Sequence, residues 1–412
     1  MRYYKRKNPM LIREMIRNVY KECKGVPKSN CLTKEQRLSL QMDEFMNRRY
    51  EFRYNTQIGE VEYRERFSFQ FYFHSIDKRA QNSIMLDAQS EGIGVWDRDI
   101  DRYLHSNRVP IYNPLEEFLF HLPHWDGKDR IHALANRVPC KNPHWELLFH
   151  RWFLNMVSHW RGVDKMHANN TSPILVGRQG THKSTFCREM IPPALRAYYT
   201  DSIDFSHKRD AELYLNRFAL INIDEFDQIT LPQQGFLKHI LQKPVVNLRK
   251  PHGRSVLELQ RYASFIGTSN QKDLLTDPSG SRRFICIEVT GNIDTTQPID
   301  YEQLYAQAMH EIHHGERYWF DSEDEQIMTE NNREFEQTPA MLQLFYQYFK
   351  TAQTKEEGEF LTPVEILNYL KKKSGMSLSD NKVYHFGRLL QKCGIPSKHT
   401  YKGTVYQVIK LS

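Results

Sequence analysis

Residues 174–190, Ile-Leu-Val-Gly-Arg-Gln-Gly-Thr-His-Lys-Ser-Thr-Phe-Cys-Arg-Glu-Met, run an apolar strand into a glycine-bearing loop that closes on Lys-Ser-Thr and opens a helix. That order reads as a phosphate-binding loop: small residues let backbone N–H groups face phosphate oxygens, and the helix N-terminus adds partial positive charge. The expected nucleotide cradle is Gly177, Gln179, Gly180, Thr181, His182, Lys183, Ser184 and Thr185. Lys183 would reach the β- and γ-phosphates of ATP and Ser184 would hold Mg²⁺. His182 stands directly before the lysine, where the usual pattern has glycine. The competing reading is a glycine turn that merely caps a strand.

A second apolar strand, Phe218 to Ile223, ends in the acidic pair Asp224 and Glu225 about 40 residues downstream. This is a Walker B signature. It would put Asp224 beside the Mg²⁺ shell and Glu225 where it orients and deprotonates the attacking water. A third strand, Tyr262 to Ser269, ends at Asn270, which would position that water. A turn-rich segment follows and carries Arg282 and Arg283 into a strand. A guanidinium from a neighbouring subunit stabilises charge on a transferring γ-phosphoryl and makes hydrolysis depend on assembly. The alternative is an arginine pair that ties the turn to nearby acids. The expected catalytic set is therefore Lys183, Asp224, Glu225, Asn270, Arg282 and Arg283, with Ser184 and Asp224 on the metal.

In this order the motifs resemble the virulence-associated protein E family of phage and mobile-element ATPases, which is similar to superfamily 3 helicases within the AAA+ class. The resemblance spans roughly residues 105 to 320. It includes Asn113-Pro114 through Phe118, the run Trp125-Asp-Gly-Lys-Asp-Arg-Ile131, Phe236 to Ile240, Arg249 to Arg254, Gly267 to Asn270 and Arg282 to Phe284. It implies an ATPase that works with Mg²⁺, a homo-oligomeric ring, a hexamer, and single-stranded or forked DNA as partner. It also implies that a hairpin around residues 245–259 faces the ring's pore. Arg249, Lys250, His252 and Arg254 concentrate cationic groups on that hairpin's tip, which suits phosphate contacts without base readout. Solvated hairpin charge is the other reading. Lys208 and Asp210 fall where the family has a polar pair.

Composition agrees with this assignment. Basic residues number 57 against 50 acidic, a net charge of +7, mild but compatible with nucleic-acid binding. The sequence has no run of 18 apolar residues and no charged-then-apolar leader, so the expectation is a cytoplasmic protein without a membrane partner. Six cysteines are scattered without a Cys-x-x-Cys pair, against a zinc knuckle or a disulfide framework. His310, His313 and His314 share a helical spacing, but they precede Gly315 with no completing ligand and read as a helix C-terminus.

The expected fold class is α/β, a P-loop AAA+-like core with an α+β N-terminal region and a C-terminal winged helix. The expected divisions are a helical arm over 1–45, the α+β region over 46–140, the ATPase core over 141–335 and the winged-helix-like domain over 336–412. Within them, Leu11 to Cys23 reads as an amphipathic helix and Tyr50 to Phe73 as a hairpin turning at Asn55 to Gly59. Trp145 to Val157 reads as a helix whose aromatic stripe is core. Near the end, Thr362-Pro-Val-Glu365 is a capping box, Gly375 a stop, Ser379 the cap of a second helix, and Tyr401 to Ile409 a short hairpin. Its surplus of bases suits DNA docking, and protein docking is the alternative. The preferred function is a helicase-like DNA motor of phage or mobile-element replication. A nucleotide-gated DNA-binding or assembly switch without translocation, as in anti-phage or packaging complexes, is the second reading. A small-molecule kinase is the third, which Asn270 and the paired arginines disfavour.

Overall fold

The computed structural model describes residues 32–69, 71–162, 166–248, 257–275, 278–337, 340–352, 358–375, 383–401 and 403–411. The expected helix at 11–23 and the cap at Ser379 lie outside them. The chain divides into two units, Met1–Leu122 and Pro123–Ser412.

In the first unit, helix α1 (Lys34–Arg49) starts at a capping box in which Thr33 and Gln36 satisfy each other's backbone N–H groups. It runs directly into β1 (Tyr50–Asn55), which pairs antiparallel with β2 (Glu60–Glu65) as the alternating sequence predicts. The turn is held by Asn55, whose buried Oδ1 accepts from the Gln57 N–H at 3.0 Å. A short β3 (His74–Ser75) adds beside β2, and β4 (Ile111–Tyr112) adds parallel to β1. Helices α2 (Lys78–Ser90), α3 (Asp97–Leu104) and α4 (Pro114–Phe120) complete the unit. Phe45, Tyr50, Phe52, Ile84, Tyr103 and Leu104 share one core, because alternate residues of β1 face the helices.

The second unit opens with α5 (Arg130–Ala135) and α6 (Trp145–Trp160). The aromatic stripe of α6 is core, with Trp145, Trp152, Phe153 and Trp160 all buried. Five strands then form one parallel sheet: β5 (Ser172–Val176), β6 (Tyr199–Thr200), β7 (Leu220–Ile223), β10 (Ser264–Ser269) and β11 (Phe284–Glu288). Their order is β11-β5-β10-β7-β6, so β10 sits between β5 and β7. Near-continuous apolar strands are what a sheet covered on both faces requires. Crossovers run through α7 (Lys183–Glu189), α8 (Lys208–Arg217) and α9 (Leu231–Leu241), and α10 (Tyr301–His313) and α11 (Ser322–Asn331) follow the sheet. The hairpin expected after α9 is present as β8 (Val245–Leu248) paired antiparallel with β9 (Leu257–Gln260).

The last segment packs α12 (Ala340–Tyr348), α13 (Pro363–Ser374) and α14 (Val383–Lys392) around Phe345, Phe349, Ile366, Leu370, Phe386 and Leu390. Strands β12 (Phe349–Thr351), β13 (Glu359–Leu361) and β14 (Ser397–Thr400) each pair antiparallel with the long β15 (Gly403–Lys410). Thr362 and Glu365 close the expected capping box at α13, and Gly375 ends that helix with φ 67°.

Candidate functional site

Parallel register brings three loop starts to one edge of the sheet. Ile174 pairs with Gly267, and Gly267 with Ile223, so the residues after β5, β10 and β7 emerge side by side at the carboxyl edge. Ligands of open α/β sheets bind in that crevice. The loop after β5 is shaped by its glycines. A Cβ on Gly177 would meet the Val289 carbonyl oxygen at 3.0 Å, and Gly180 has φ +84°.

Lys183 begins α7 and is buried. Its ammonium donates to the carbonyl oxygens of Gly177 and Arg178, both at 2.8 Å, and lies 3.4 Å from Thr181 Oγ1 and 3.3 Å from Asn270 Oδ1. Burial pulls its pKa below the ordinary lysine value, and the charges of Asp224 and Asp227 oppose that pull. Ser184 Oγ donates to Asp224 Oδ1 at 2.9 Å. The expected residues Lys183, Ser184, Asp224 and Asn270 therefore meet in one constellation, drawn from three strand ends.

Glu225 is exposed and its carboxylate has no partner among the described residues. It lines a cleft of about 200 Å³ together with Asp201, Asp204, Phe205, Asp224, Gln228 and Gln233. Its backbone is left-handed, φ 52°, as is that of His182, φ 63°. Among the described residues these two are the only non-glycine positions with positive φ, and both lie at this edge. Each such conformation costs an L-residue on the order of 1 kcal/mol, and strain of this kind gathers at functional loops. His182 thus keeps the backbone conformation that the expected glycine would have taken freely.

Arg282 donates to Glu325 on α11 at 2.8 Å, and Arg283 is half-buried in the turn just before β11. Gln179 and Thr185 are exposed, Gln179 in the loop and Thr185 on α7. Arg249, Lys250, His252 and Arg254 lie outside the described residues. The histidines at 310, 313 and 314 end α10, where His314 Nδ1 meets the His310 carbonyl oxygen at 2.7 Å. The 125–131 run is a brace: Asp126 and Arg130 pair at 2.6 Å, Arg130 reaches Asp300 at 3.1 Å, and Gln303 and Gln307 of α10 accept from the Asp126 and Arg130 backbone N–H groups.

Two residues of the site were missed by motif reading. Thr268 Oγ1 donates to Asp224 Oδ1 in a short hydrogen bond. Asp227 Oδ1 accepts from Ser269 Oγ at 2.8 Å and from the Asn270 N–H at 3.3 Å, which fixes the loop carrying Asn270. The only signals were a hydroxyl pair ending an otherwise apolar strand and a third acid three residues after Asp224.

A family model described as the virulence-associated protein E-like domain matches residues 119–337, just over half of the chain. A second, described as a domain of unknown function from B. Theta, matches residues 338–408. No curated protein matches. Among solved structures, the apo structure of the NrS-1 C terminal region (305-718) is 11% identical, with 90% of this chain and 98% of that one covered and a TM-score of 0.44. The A form apo structure of the same region is 10% identical over the same shares, with a TM-score of 0.45.

Proposed function

The chain belongs to the virulence-associated protein E-like family, and from that premise together with the site we propose that it is an Mg-ATP-hydrolysing, oligomeric, helicase-like DNA motor of phage or mobile-element replication. The observation that carries the reading is the convergence of Lys183, Ser184, Asp224 and Asn270 at one sheet edge. An intervening strand between the lysine-bearing and acid-bearing strands is the layout of a P-loop AAA+-like core, and it puts Asn270 between the two motifs. In the last segment, three helices and a final hairpin support a winged helix.

Ser184 Oγ and Asp224 Oδ1 are hard oxygen donors 2.9 Å apart, the kind of pair from which Mg²⁺ takes one or two ligands while keeping water and phosphate oxygens. Mg²⁺ held there would neutralise charge developing on the β- and γ-phosphate oxygens. The backbone N–H groups of residues 178–185 cradle the phosphates, the Gly177 N–H being donated to the Ser269 carbonyl oxygen at 3.0 Å, and Lys183 adds a point charge. Glu225, without a side-chain partner among the described residues and facing the cleft, takes the proton of the attacking water, and Asn270, fixed through Asp227, orients that water. Arg283 reaches the neighbouring subunit's γ-phosphate. Arg282, which donates to Glu325, is the second candidate. Arg249, Lys250, His252 and Arg254 hold single-stranded DNA by its phosphates.

The test is whether purified protein forms a ring whose ATPase rate rises with single-stranded DNA. Lys183→Ala is expected to abolish productive ATP binding. Arg283→Ala subunits mixed with Lys183→Ala subunits are expected to regain activity, because some interfaces then pair an intact loop with an intact arginine. A monomer hydrolysing ATP independently of DNA overturns the motor. A ring that binds DNA and ATP but does not translocate identifies the switch instead.

A further inference from the structure

In the first unit, the connection from β2 to β3 reads Arg66-Phe-Ser-Phe-Gln-Phe-Tyr-Phe73. Phe67, Phe69, Phe71 and Tyr72 are 87%, 96%, 73% and 79% exposed. Burying a single Phe contributes roughly 1.5–3 kcal/mol, so four rings left in water in so short a span mark a surface that meets a ligand.

The roots of the loop are fixed. The Arg66 N–H donates to the Arg49 carbonyl oxygen at 2.9 Å and its Nε to that of Tyr50 at 3.1 Å. Arg64 donates to the Phe71 carbonyl oxygen at 3.0 Å. At the far end, the guanidinium groups of Arg53 and Arg64 lie 3.9 and 4.7 Å from the Phe73 ring centroid. Anchored ends and bare rings are a platform rather than a frayed turn.

Three features choose the occupant. The apolar groups are aromatic without an aliphatic among them, and none of the four exposed rings stacks on another ring among the described residues. Their faces are presented separately, which suits flat partners and wastes the contiguous area that a protein knob needs. Ser68 places a hydrogen-bonding group between the rings of Phe67 and Phe69 in the sequence. From Arg66 to Ile76 there is no acidic residue, while Arg66 and His74 are exposed, and the Arg66 guanidinium meets no carboxylate among the described residues. Unstacked bases joined by phosphates match all three features.

We propose that the 66–74 loop is a stacking platform for single-stranded nucleic acid, with Phe67, Phe69, Phe71 and Tyr72 taking bases and Arg66 facing the backbone. This deepens the nucleic-acid half of the function proposed above and rests on it. It requires no nucleotide hydrolysis.

The experiment is fluorescence anisotropy of the full chain, without ATP, against short labelled oligo(dT), oligo(rU) and blunt duplex DNA. Phe69→Leu keeps an apolar group and removes the ring, Phe69→Trp keeps a ring, and the triple leucine variant at 67, 69 and 71 strips the platform. Phe69→Leu is expected to weaken single-strand binding roughly tenfold, the triple variant further, and Phe69→Trp to bind as the wild type. The salt dependence is expected to stay unchanged, because no phosphate contact is lost. Unchanged thermal unfolding verifies that the variants fold. Leucine variants that bind as tightly as the wild type overturn the platform, as does equal weakening on single strand and duplex. Loss of self-association with single-strand binding intact assigns the loop to protein docking instead. A wild-type chain that binds neither single strand sinks the platform together with the DNA reading, whereas binding indifferent to all ring changes sinks the platform alone.

Discussion

Two buried cations sit on the same parallel sheet, Lys183 at its carboxyl edge and Arg261 at the opposite one, just before β10 begins. Both are held by backbone carbonyl oxygens. Arg261 is fully buried and donates to Ala263 at 2.9 Å, Leu241 at 2.7 Å, Lys243 at 2.8 Å, Ile240 at 3.3 Å and Asn169 at 3.0 Å. These oxygens come from the C-terminal end of α9, the chain beyond it, the start of β10 and the segment before β5. Burial pushes the Arg261 pKa down to about 9, yet each of the three nitrogens of the fork donates to a backbone carbonyl oxygen, which favours the charged form. Lys183 differs in two ways. Its three rotatable donors lie in a loop, and Asp224 and Asp227 are close enough to act on its charge. A planar fork on rigid oxygens closes a structure, whereas an ammonium among loop oxygens and acids remains able to exchange partners.

Replacing each by methionine therefore gives opposite outcomes. Arg261→Met strands several buried carbonyl oxygens, each worth on the order of 1–3 kcal/mol when orphaned. A loss of about 3–5 kcal/mol in urea unfolding is expected, comparable with removing one partner of a buried pair. Arg261→Lys should fall between, since three donors cannot reach five oxygens. Lys183→Met removes a partly desolvated charge beside oxygens that water can reach, so its stability should stay within about 1 kcal/mol of the wild type, while ATP binding disappears. Equal unfolding midpoints for the two methionine variants break the comparison.

On the proposed mechanism, the acids at the carboxyl edge divide into one that reacts and one that positions. Glu225→Gln keeps the ground-state contacts and removes the base, and should slow single-turnover hydrolysis by roughly 10²-fold or more at unchanged ATP affinity. Turnover at the wild-type rate would remove Glu225 from the chemistry. Asp227→Ala should cost less, roughly tenfold, because it frees the Asn270 N–H and leaves the Ser269 hydroxyl only the Gln271 carbonyl oxygen, without touching the reacting atoms. Its signature is non-additivity: if Asp227 acts through Asn270, adding Asp227→Ala to Asn270→Ala changes nothing further.

The same contrast explains what the sequence makes legible. The strand–loop–helix at 174–190, the acids after β7, the capping box at Thr362 and the hairpin at 50–65 are local patterns, each enforced within a few residues by periodicity or capping. The match of residues 119–337 to the family model agrees with the resemblance carried by those motifs. Arg261 was invisible because its partners are separated from it by as many as 92 residues, and an arginine between two strands carries no motif. The placing of β10 between β5 and β7, the hydroxyl of Thr268 on Asp224, and the pairing of Arg282 with Glu325 are likewise tertiary. They follow from which strands pair, which no window of sequence contains. His182 is an intermediate case: the departure from glycine was legible, but not that the backbone would adopt glycine's conformation regardless.

That residue supplies the smallest and most discriminating test. His182 and Glu225 share a left-handed backbone, so relief of strain should contribute about the same at both, on the order of 1 kcal/mol. Glycine's larger loss of chain entropy returns roughly 0.5–1 kcal/mol of that gain. His182→Gly and Glu225→Gly should therefore each change stability by only a few tenths of a kcal/mol, read as a small shift in thermal midpoint. Their activities should diverge. His182→Gly relaxes the loop without removing a reacting group and should hold or raise ATP affinity, whereas Glu225→Gly should hydrolyse no faster than Glu225→Gln. A loss of affinity in His182→Gly at unchanged stability would move the imidazole from a strained spacer into direct contact with the nucleotide, and so place both left-handed residues among the working groups of the carboxyl edge.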